Sequence, residues 1–192
     1  MRWNPSSRRL GLVFDDRRIV AVELRPGHPP HVGATAQLAL EELNRKEEPA
    51  EAGKRLQAQL KAAGITARQA AVGVPASWLM ARTHPMPPMD EASLAPALSL
   101  VIDRLFTPDV SELRADFAPR PATGDGTADP VLVVATLERR LAQLRAVVEA
   151  AGLRIVALTP TVTALAEARV EAGESAADGA ALVARITSDA IE

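Results

Sequence analysis

Apolar residues recur along the first third of the chain in the spacing of short strands. The runs at residues 10–14 and 19–24 flank the turn residues Asp15 and Asp16, so they predict a β-hairpin. Residues 31–40 predict a third strand, and a helix that begins at a proline and ends at a glycine is expected next. A compact apolar strand completes the order β-β-β-α-β, with this helix and strand at residues 49–63 and 70–74.

The middle of the chain predicts a second, smaller α/β block. Apolar residues recur at helical spacing over residues 94–105. Pro96 fits only near a helix start, so Ser93 is the expected N-cap. A strand is predicted before this helix, at residues 78–83. After it come a weaker strand at residues 113–117 and a loop at residues 119–130 that contains Gly124-Asp125-Gly126. A strong strand at residues 131–135 and a helix at residues 137–152 complete the block.

The last part of the chain predicts a strand at residues 154–158 and a helix with Thr159 as N-cap and Pro160 in its first turn. A linker and another apolar strand follow at residues 173–179 and 180–186. Because a new element starts so close to residue 192, we expect a truncated piece of a longer protein. The predicted domains are a first subdomain at residues 1–76 and an inserted subdomain at residues 77–154. The chain is then expected to return to the first subdomain at residues 155–179 and to start a second half at residues 180–192.

Composition narrows the class of protein. The 192 residues carry a net charge of −2 with a pI near 6.0, and no basic stripe is evident, so no nucleic-acid partner is expected. The absence of cysteine excludes disulfides, thiolate metal sites and a cysteine nucleophile. We find no secretory signal and no run of about 18 apolar residues, so we expect a cytoplasmic protein without direct membrane insertion.

Residues with candidate chemistry are few. Asp15 and Asp16 suit a plain turn as well as a metal or nucleotide role, and Arg17 suits an exposed hairpin as well as a phosphate contact. No further ligands converge on the histidines, so no metal site is expected. No nucleophile elbow and no Ser/His/Asp spacing is present. The three histidines lie among prolines, at His28, His31 and His84.

The segment between Trp78 and Met89 is the most distinctive candidate for binding. It holds one of the two tryptophans and three of the four methionines, namely Trp78, Met80, Met86 and Met89. Methionines make adaptable apolar surfaces, so these side chains predict a partner-binding surface, although they would equally fill a seam between two subdomains. The prolines of this segment are expected to keep it extended, which favours strand addition by a partner.

The order of elements and several strings resemble the PilM family of type IV pilus assembly proteins. The strings are LGLVFDD with IVAVEL, VGVPASWLMART with PMPPMDE, and EAAGLRIVAL, at residues 10–24, 72–91 and 149–158. The resemblance implies an α/β, actin-like (ribonuclease H-like) first half with an inserted small α/β subdomain. It covers nearly all of the chain but only the front half of a PilM-type protein, without the half that supplies the adenosine-binding elements.

The resemblance also implies where nucleotide would bind. In actin-like ATPases the first hairpin turn is small, so that backbone N–H groups can approach phosphate. Here Asp15, Asp16 and Arg17 form a degenerate phosphate-loop position, although Asp15 matches the family's metal-facing acidic position. The second phosphate turn reads Thr187-Ser188-Asp189 without glycine. The chain is similar in this respect to GspL, the type II secretion relative that keeps the fold without needing nucleotide, so no cofactor is expected.

The sequence therefore predicts a non-catalytic cytoplasmic scaffold of a type IV pilus or type II secretion-like assembly complex. The resemblance implies that it binds the cytoplasmic tail of a PilN-like membrane protein, which holds it at the inner membrane beside other pilus assembly proteins. The alternative is a fragment of an ATP-binding actin-like ATPase, for which ATP with magnesium would be the cofactor. A reading frame that continues into a second actin-like half would favour the alternative.

Overall fold

A computed structural model describes residues 8–14, 18–39, 48–87, 89, 91–119 and 129–171. The chain divides into two compact units. Unit 2 is Trp78–Ala142, and unit 1 comprises the described residues on either side of it. Both units combine a sheet with helices, so the predicted α/β class is confirmed. In chain order the strands and α-helices are β1 (Arg9–Phe14), β2 (Arg18–Arg25), β3 (His31–Ala39), α1 (Pro49–Ala62), β4 (Gln69–Val74), β5 (Met80–Met86), α2 (Glu91–Ser99), α3 (Ile102–Leu105), β6 (Leu113–Pro119), β7 (Asp129–Leu137), α4 (Glu138–Ala150), β8 (Arg154–Pro160) and α5 (Thr161–Glu171).

Unit 1 is built on a five-stranded sheet in the order β3-β2-β1-β4-β8. In β1 and β2 every second side chain is buried, which is the period-two alternation that the apolar runs predict. β2 runs antiparallel to both of its neighbours, whereas β1, β4 and β8 run parallel. The three parallel strands therefore begin at one edge of the sheet, the amino edge, and end at the opposite carboxyl edge.

Two similar helix-to-strand junctions lead into β4 and β8. α1 is followed by Gly64 and α4 by Gly152, both with positive φ (74° and 75°), a conformation that costs a residue with a Cβ atom more than it costs glycine. Past the first glycine, the amide of Ile65 donates back to the carbonyl of Leu60. The glycines predicted to end these two helices are therefore confirmed.

The second half of α4 packs against α1 in unit 1. A Cβ atom at Gly53 of α1 would lie 2.4 Å from the Cβ of Ala150 and 2.7 Å from the carbonyl oxygen of Val147. Only a glycine lets the two helices approach this closely. The inserted subdomain was predicted to extend to residue 154, but this packing joins the chain from Gln143 onward to unit 1, so the structural boundary lies inside α4.

Unit 2 is a three-stranded antiparallel sheet in the order β5-β7-β6, covered on one face by α2 and α3. β7 lies in the centre and carries its inward side chains on alternate residues. Its pairing is entirely within unit 2 among the described strands, as the prediction of a separate α/β block requires. The buried cluster is apolar throughout and consists of Met86, Leu94, Leu98, Phe106, Val131, Val133 and Ala135.

The helix predicted over residues 94–105 is two helices, and Ser93 is not its N-cap. α2 already begins at Glu91, so Ser93 lies within its first turn. The carbonyl of Pro96 accepts the hydroxyl of Ser99 at 2.6 Å, and the amide of Leu100 bonds to Ala97, one residue short of α-helical spacing. This tightening ends α2 and leaves a break before α3.

Two other predicted boundaries are also wrong. Residues 76–78 form a short 3₁₀ turn, so the strand predicted from Trp78 begins at Met80 instead. Thr159 and Pro160 belong to β8 rather than to a helix start, because Pro160 still pairs with Val74 in the sheet. Four other predicted features lie outside the described residues. They are the glycine loop at residues 124–126, the linker at residues 173–179, the strand at residues 180–186 and the second phosphate turn at residues 187–189.

Candidate functional site

Trp78 lies at the start of unit 2 and is held from two sides. Its backbone carbonyl accepts a hydrogen bond from the hydroxyl of Thr136 at 2.8 Å. The guanidinium carbon of Arg140 lies 5.7 Å from the centroid of its half-buried ring, within the range of a cation–π contact. The backbone of Trp78 is therefore tied to β7, and its ring contacts Arg140 while part of its surface is accessible.

The three methionines of the same segment have different environments. Met86 is buried in the core of unit 2, and Met80 packs partly against that core. Met89 is 38% exposed. The expectation that Met86 lies on a surface is wrong, because the last residue of β5 points toward α2, where Leu94 and Leu98 surround it.

β5 itself is an edge strand. Among the described strands it pairs only with β7, so its other side has no strand neighbour in this part of the chain. Pro85 contributes no N–H group, but the other residues of β5 keep theirs. This strand edge, together with Trp78 and Met89, is the part of the predicted binding segment with a geometry suited to strand addition.

The carboxyl edge of the sheet in unit 1 is the second candidate. In α/β sheets, ligands bind outside the carboxyl ends of parallel strands, and here those ends are Phe14, Val74 and Pro160. Asp15, Asp16 and Arg17 directly follow the first of them but lie outside the described residues. Among the residues that are described, no group of three metal-ligating side chains comes together.

The ends of β4 and β8 are closed by packing. The buried hydroxyl of Thr161 donates to the carbonyl of Val74 at 3.0 Å, which ties the start of α5 to the end of β4. Pro75 and Pro160 have no N–H group to offer to a phosphate. A Cβ atom at Gly73 would lie 3.1 Å from the Thr161 hydroxyl, so the space at this point is already filled.

A buried carboxylate at the amino edge escaped the sequence analysis. Glu23 of β2 is fully buried, and its Oε2 accepts hydrogen bonds from the amides of Thr66 and Ala67 at 2.7 and 2.8 Å. Its Oε1 accepts the Nε of Arg25 at 3.4 Å and lies 3.8 Å from Arg8 Nη1. Burial alone raises the pKa of Glu23, but the hydrogen bonds from these partners hold it below its ordinary value.

The comparisons with known proteins bear on the fold. No protein-family model and no curated protein matches the sequence. Among solved structures, the chain is similar to a chain of the "PilM-PilN type IV pilus biogenesis complex", at 22% identity and a TM-score of 0.73. The match covers 88% of this chain and 52% of the chain in that complex. This chain shares its fold with PilM.

A second solved structure supports the same fold. It is the cytoplasmic domain of EpsL, an inner-membrane component of the type II secretion system of Vibrio cholerae, at 17% identity and a TM-score of 0.60. The match covers 82% of this chain and 59% of that domain. The chain thus spans about half the length of PilM and of the EpsL domain. The predicted α/β class and the predicted likeness to the PilM fold are confirmed.

One further observation concerns membranes. Within the described part of the chain, no helix is both long and apolar enough to span a bilayer.

Proposed function

We propose that the chain is a non-catalytic scaffold that binds the cytoplasmic tail of an inner-membrane protein in a pilus or secretion assembly complex. The observation that carries the proposal is the likeness to PilM of the PilM–PilN complex over 88% of the chain. The likeness to EpsL, an inner-membrane component, points to the same location. The proposed partner is a PilN-like tail, and that partner holds the chain at the cytoplasmic side of the inner membrane.

The proposed contact surface is the part of unit 2 from Trp78 to Met89 that remains accessible. The edge of β5 supplies backbone donors and acceptors that an extended tail can pair with, and the exposed Met89, three residues after the end of β5, supplies an adaptable apolar side chain. The indole of Trp78, held by Arg140, supplies a rigid aromatic face. Aromatic anchors of this kind commonly dominate the energy of protein–protein contacts.

The test is a titration of a fluorescent peptide, corresponding to the cytoplasmic tail of a PilN-like protein, with the purified chain. Met89→Glu is expected to weaken binding at least tenfold, because it places a charge where an apolar contact is proposed. Leu100→Glu is the matched control, since Leu100 is 76% exposed in the same unit but lies outside the segment. Both variants should melt like the wild type. Equal binding by Met89→Glu and the wild type would contradict this surface.

The absence of catalysis is proposed for a physical reason as well. At the ends of β4 and β8, Pro75 and Pro160 have no N–H group to offer to a phosphate, and the hydroxyl of Thr161 is already bonded to the carbonyl of Val74. Calorimetric titration with ATP and magnesium is expected to give no binding. A dissociation constant near 1 µM, about −8 kcal/mol, would favour the ATP-binding alternative instead.

A further inference from the structure

The amino edge of the sheet in unit 1 carries a row of arginines. Arg8 precedes β1, which begins with Arg9. Arg68 precedes β4, β8 begins with Arg154, and the antiparallel β2 ends with Arg25. The strand register brings them side by side, since Arg9 pairs with Leu24 and Gln69 pairs with Arg154. At about 4.8 Å per strand, the row extends roughly 14 Å from β2 to β8.

This row is a local excess of positive charge in a chain whose net charge is −2. Arg68 and Arg154 are exposed, and the side chains of Arg8 and Arg25 are 48% and 42% exposed. The carboxylate that lies among them, Glu23, is fully buried. Among the described residues at this edge, five arginines and Glu23 leave an excess of four positive charges. Lys61 and Glu149, in the last turns of α1 and α4, carry opposite charges that cancel each other.

The fold holds several of these arginines in place. Arg8 donates to the hydroxyl of Thr66, Arg9 donates to the side chain of Gln69, and Arg25 donates to Glu23. The stem of Arg25 crosses β3 at Gly33, where a Cβ atom would lie 2.4 Å from the Arg25 Nε. Because their positions are partly fixed before binding, these side chains lose less conformational entropy when they meet an anionic partner.

We propose that this arginine row binds the anionic headgroups of a phospholipid membrane. The inference rests on the proposed function, which holds the chain at the cytoplasmic leaflet, whose negative surface potential attracts clusters of basic side chains. Arginine suits this role because its planar guanidinium forms paired hydrogen bonds with phosphate. The row would act as a second, weak attachment beside the protein partner and would fix which edge of unit 1 faces the bilayer.

Other anionic partners fit the row less well. Single-stranded nucleic acid would need aromatic side chains for base stacking, and none lies among the described residues of the row. An acidic peptide would normally be anchored by apolar or aromatic side chains as well as by charge. Among the described residues near the row, Val32 is the large apolar side chain that is exposed, and one such side chain is a weak anchor. A line of exposed charges is better matched to a planar anionic surface.

The test is sedimentation of the purified chain with phosphatidylcholine vesicles that either contain or lack phosphatidylglycerol. We expect binding only to the anionic vesicles, with loss at high salt. The double variant Arg68→Gln/Arg154→Gln should bind about 25-fold more weakly, at about fivefold per arginine, because each basic residue near an anionic surface adds a similar increment. Its melting temperature should equal that of the wild type, since both side chains are exposed.

The control is Arg82→Gln/Arg104→Gln, which removes the same charge from exposed positions in unit 2. Equal loss of vesicle binding by the control, unchanged binding by the edge variant, or no preference for anionic vesicles would each overturn the proposal. Tighter binding to polyglutamate than to the vesicles would overturn it in favour of an acidic protein segment.

A titration with the PilN-like tail separates this proposal from the proposed function. The Arg68→Gln/Arg154→Gln variant should bind the tail like the wild type while losing the vesicles. If the wild-type chain binds the vesicles but not the tail, the proposed partner is contradicted and the lipid contact is supported. Tail binding without vesicle binding would contradict the lipid contact alone.

Discussion

The two sheets of the molecule are stabilised in different ways. In unit 1, Glu23 and Thr161 are buried polar side chains that join segments 43 and 87 residues apart in the sequence. In unit 2, the cluster around Met86 is apolar throughout, and the buried Thr136 bonds to Trp78 outside that cluster. Directional bonds fix which distant strands meet, whereas an apolar cluster depends on shape and volume. Substitutions at the two kinds of site should therefore have different consequences.

The largest effect is expected for Glu23→Ala in unit 1. The change leaves the amides of Thr66 and Ala67 without their acceptor and leaves two arginines without a counter-charge. We expect a loss of about 3–5 kcal/mol in the free energy of unfolding, measured by urea denaturation. Glu23→Gln, which keeps one acceptor oxygen, should lose less. A loss below about 1 kcal/mol for the alanine variant would show that the carboxylate does not anchor the sheet.

Met86→Ala tests the apolar core of unit 2. Because Met86 is buried against Leu94 and Leu98, its truncation should cost about 2–4 kcal/mol through lost burial and the cavity left behind. Met86→Leu, which nearly conserves volume, should cost much less. If Met86→Ala melted like the wild type but lost tail binding, Met86 would be a surface residue and the assignment to the core would be wrong.

Gly53→Ala tests the packing of α1 on α4. The added methyl group would meet Ala150 and the carbonyl of Val147, so we expect a net loss of about 1–3 kcal/mol in spite of the better helix propensity of alanine. The double variant Gly53→Ala/Ala150→Gly removes the nearest atom and should recover part of the loss. No recovery would mean that the clash with the Val147 carbonyl dominates.

Thr161→Val should have a smaller effect. It removes the hydrogen bond to the Val74 carbonyl while nearly keeping the shape of the side chain, and we expect a loss of about 1 kcal/mol in thermal denaturation. Thr161→Ser keeps the hydroxyl and serves as the control. A valine variant as stable as the wild type would show that this bond does not hold β4 and α5 together.

The last and smallest effect is the pH dependence that Glu23 gives to the free energy of unfolding, which shows only at acidic pH. Since its pKa is lowered in the folded state, its contribution is complete above the ordinary value of 4.5 and is lost as the pH falls through the folded pKa. Glu23→Gln should therefore have a shallower stability profile below that pH. The Glu23→Gln variant should still lose some stability as the pH falls, because two other carboxylates also have lowered pKa values. Lys54 lowers the pKa of Glu51, and Ser111 lowers the pKa of Asp109. Parallel profiles for the two proteins would contradict the assignment.

Local pattern was sufficient to predict most elements of the fold. The alternation in β1 and β2 and the glycines after α1 and α4 depend on neighbours close in sequence, which is why they could be read directly. Glu23 could also have been found, since it follows the buried Ile19 and Ala21 at the inward positions of β2. A charged residue at such a position predicts a buried anchor.

Other features depend on residues far apart in sequence. Met86 follows a proline and a histidine in a short edge strand, so its pattern did not indicate which face is buried. The arginine row was missed because Arg25, Arg68 and Arg154 are distant in sequence and come beside Arg8 and Arg9 only through the strand order β2-β1-β4-β8. A search for a basic stripe in the linear sequence cannot detect charges that strand topology gathers.

The parallel pairing of β4 with β8 also has a consequence for the order of folding. The chain between these neighbours contains all of unit 2, so their pairing closes a very long loop when unit 2 is unfolded. Collapse of unit 2 into its own sheet shortens the free chain and lowers the entropy lost on closing that loop. We therefore expect unit 2 to form early and β8 to join late, so that slow refolding of the five-stranded sheet would be the kinetic signature of a weakened unit 2.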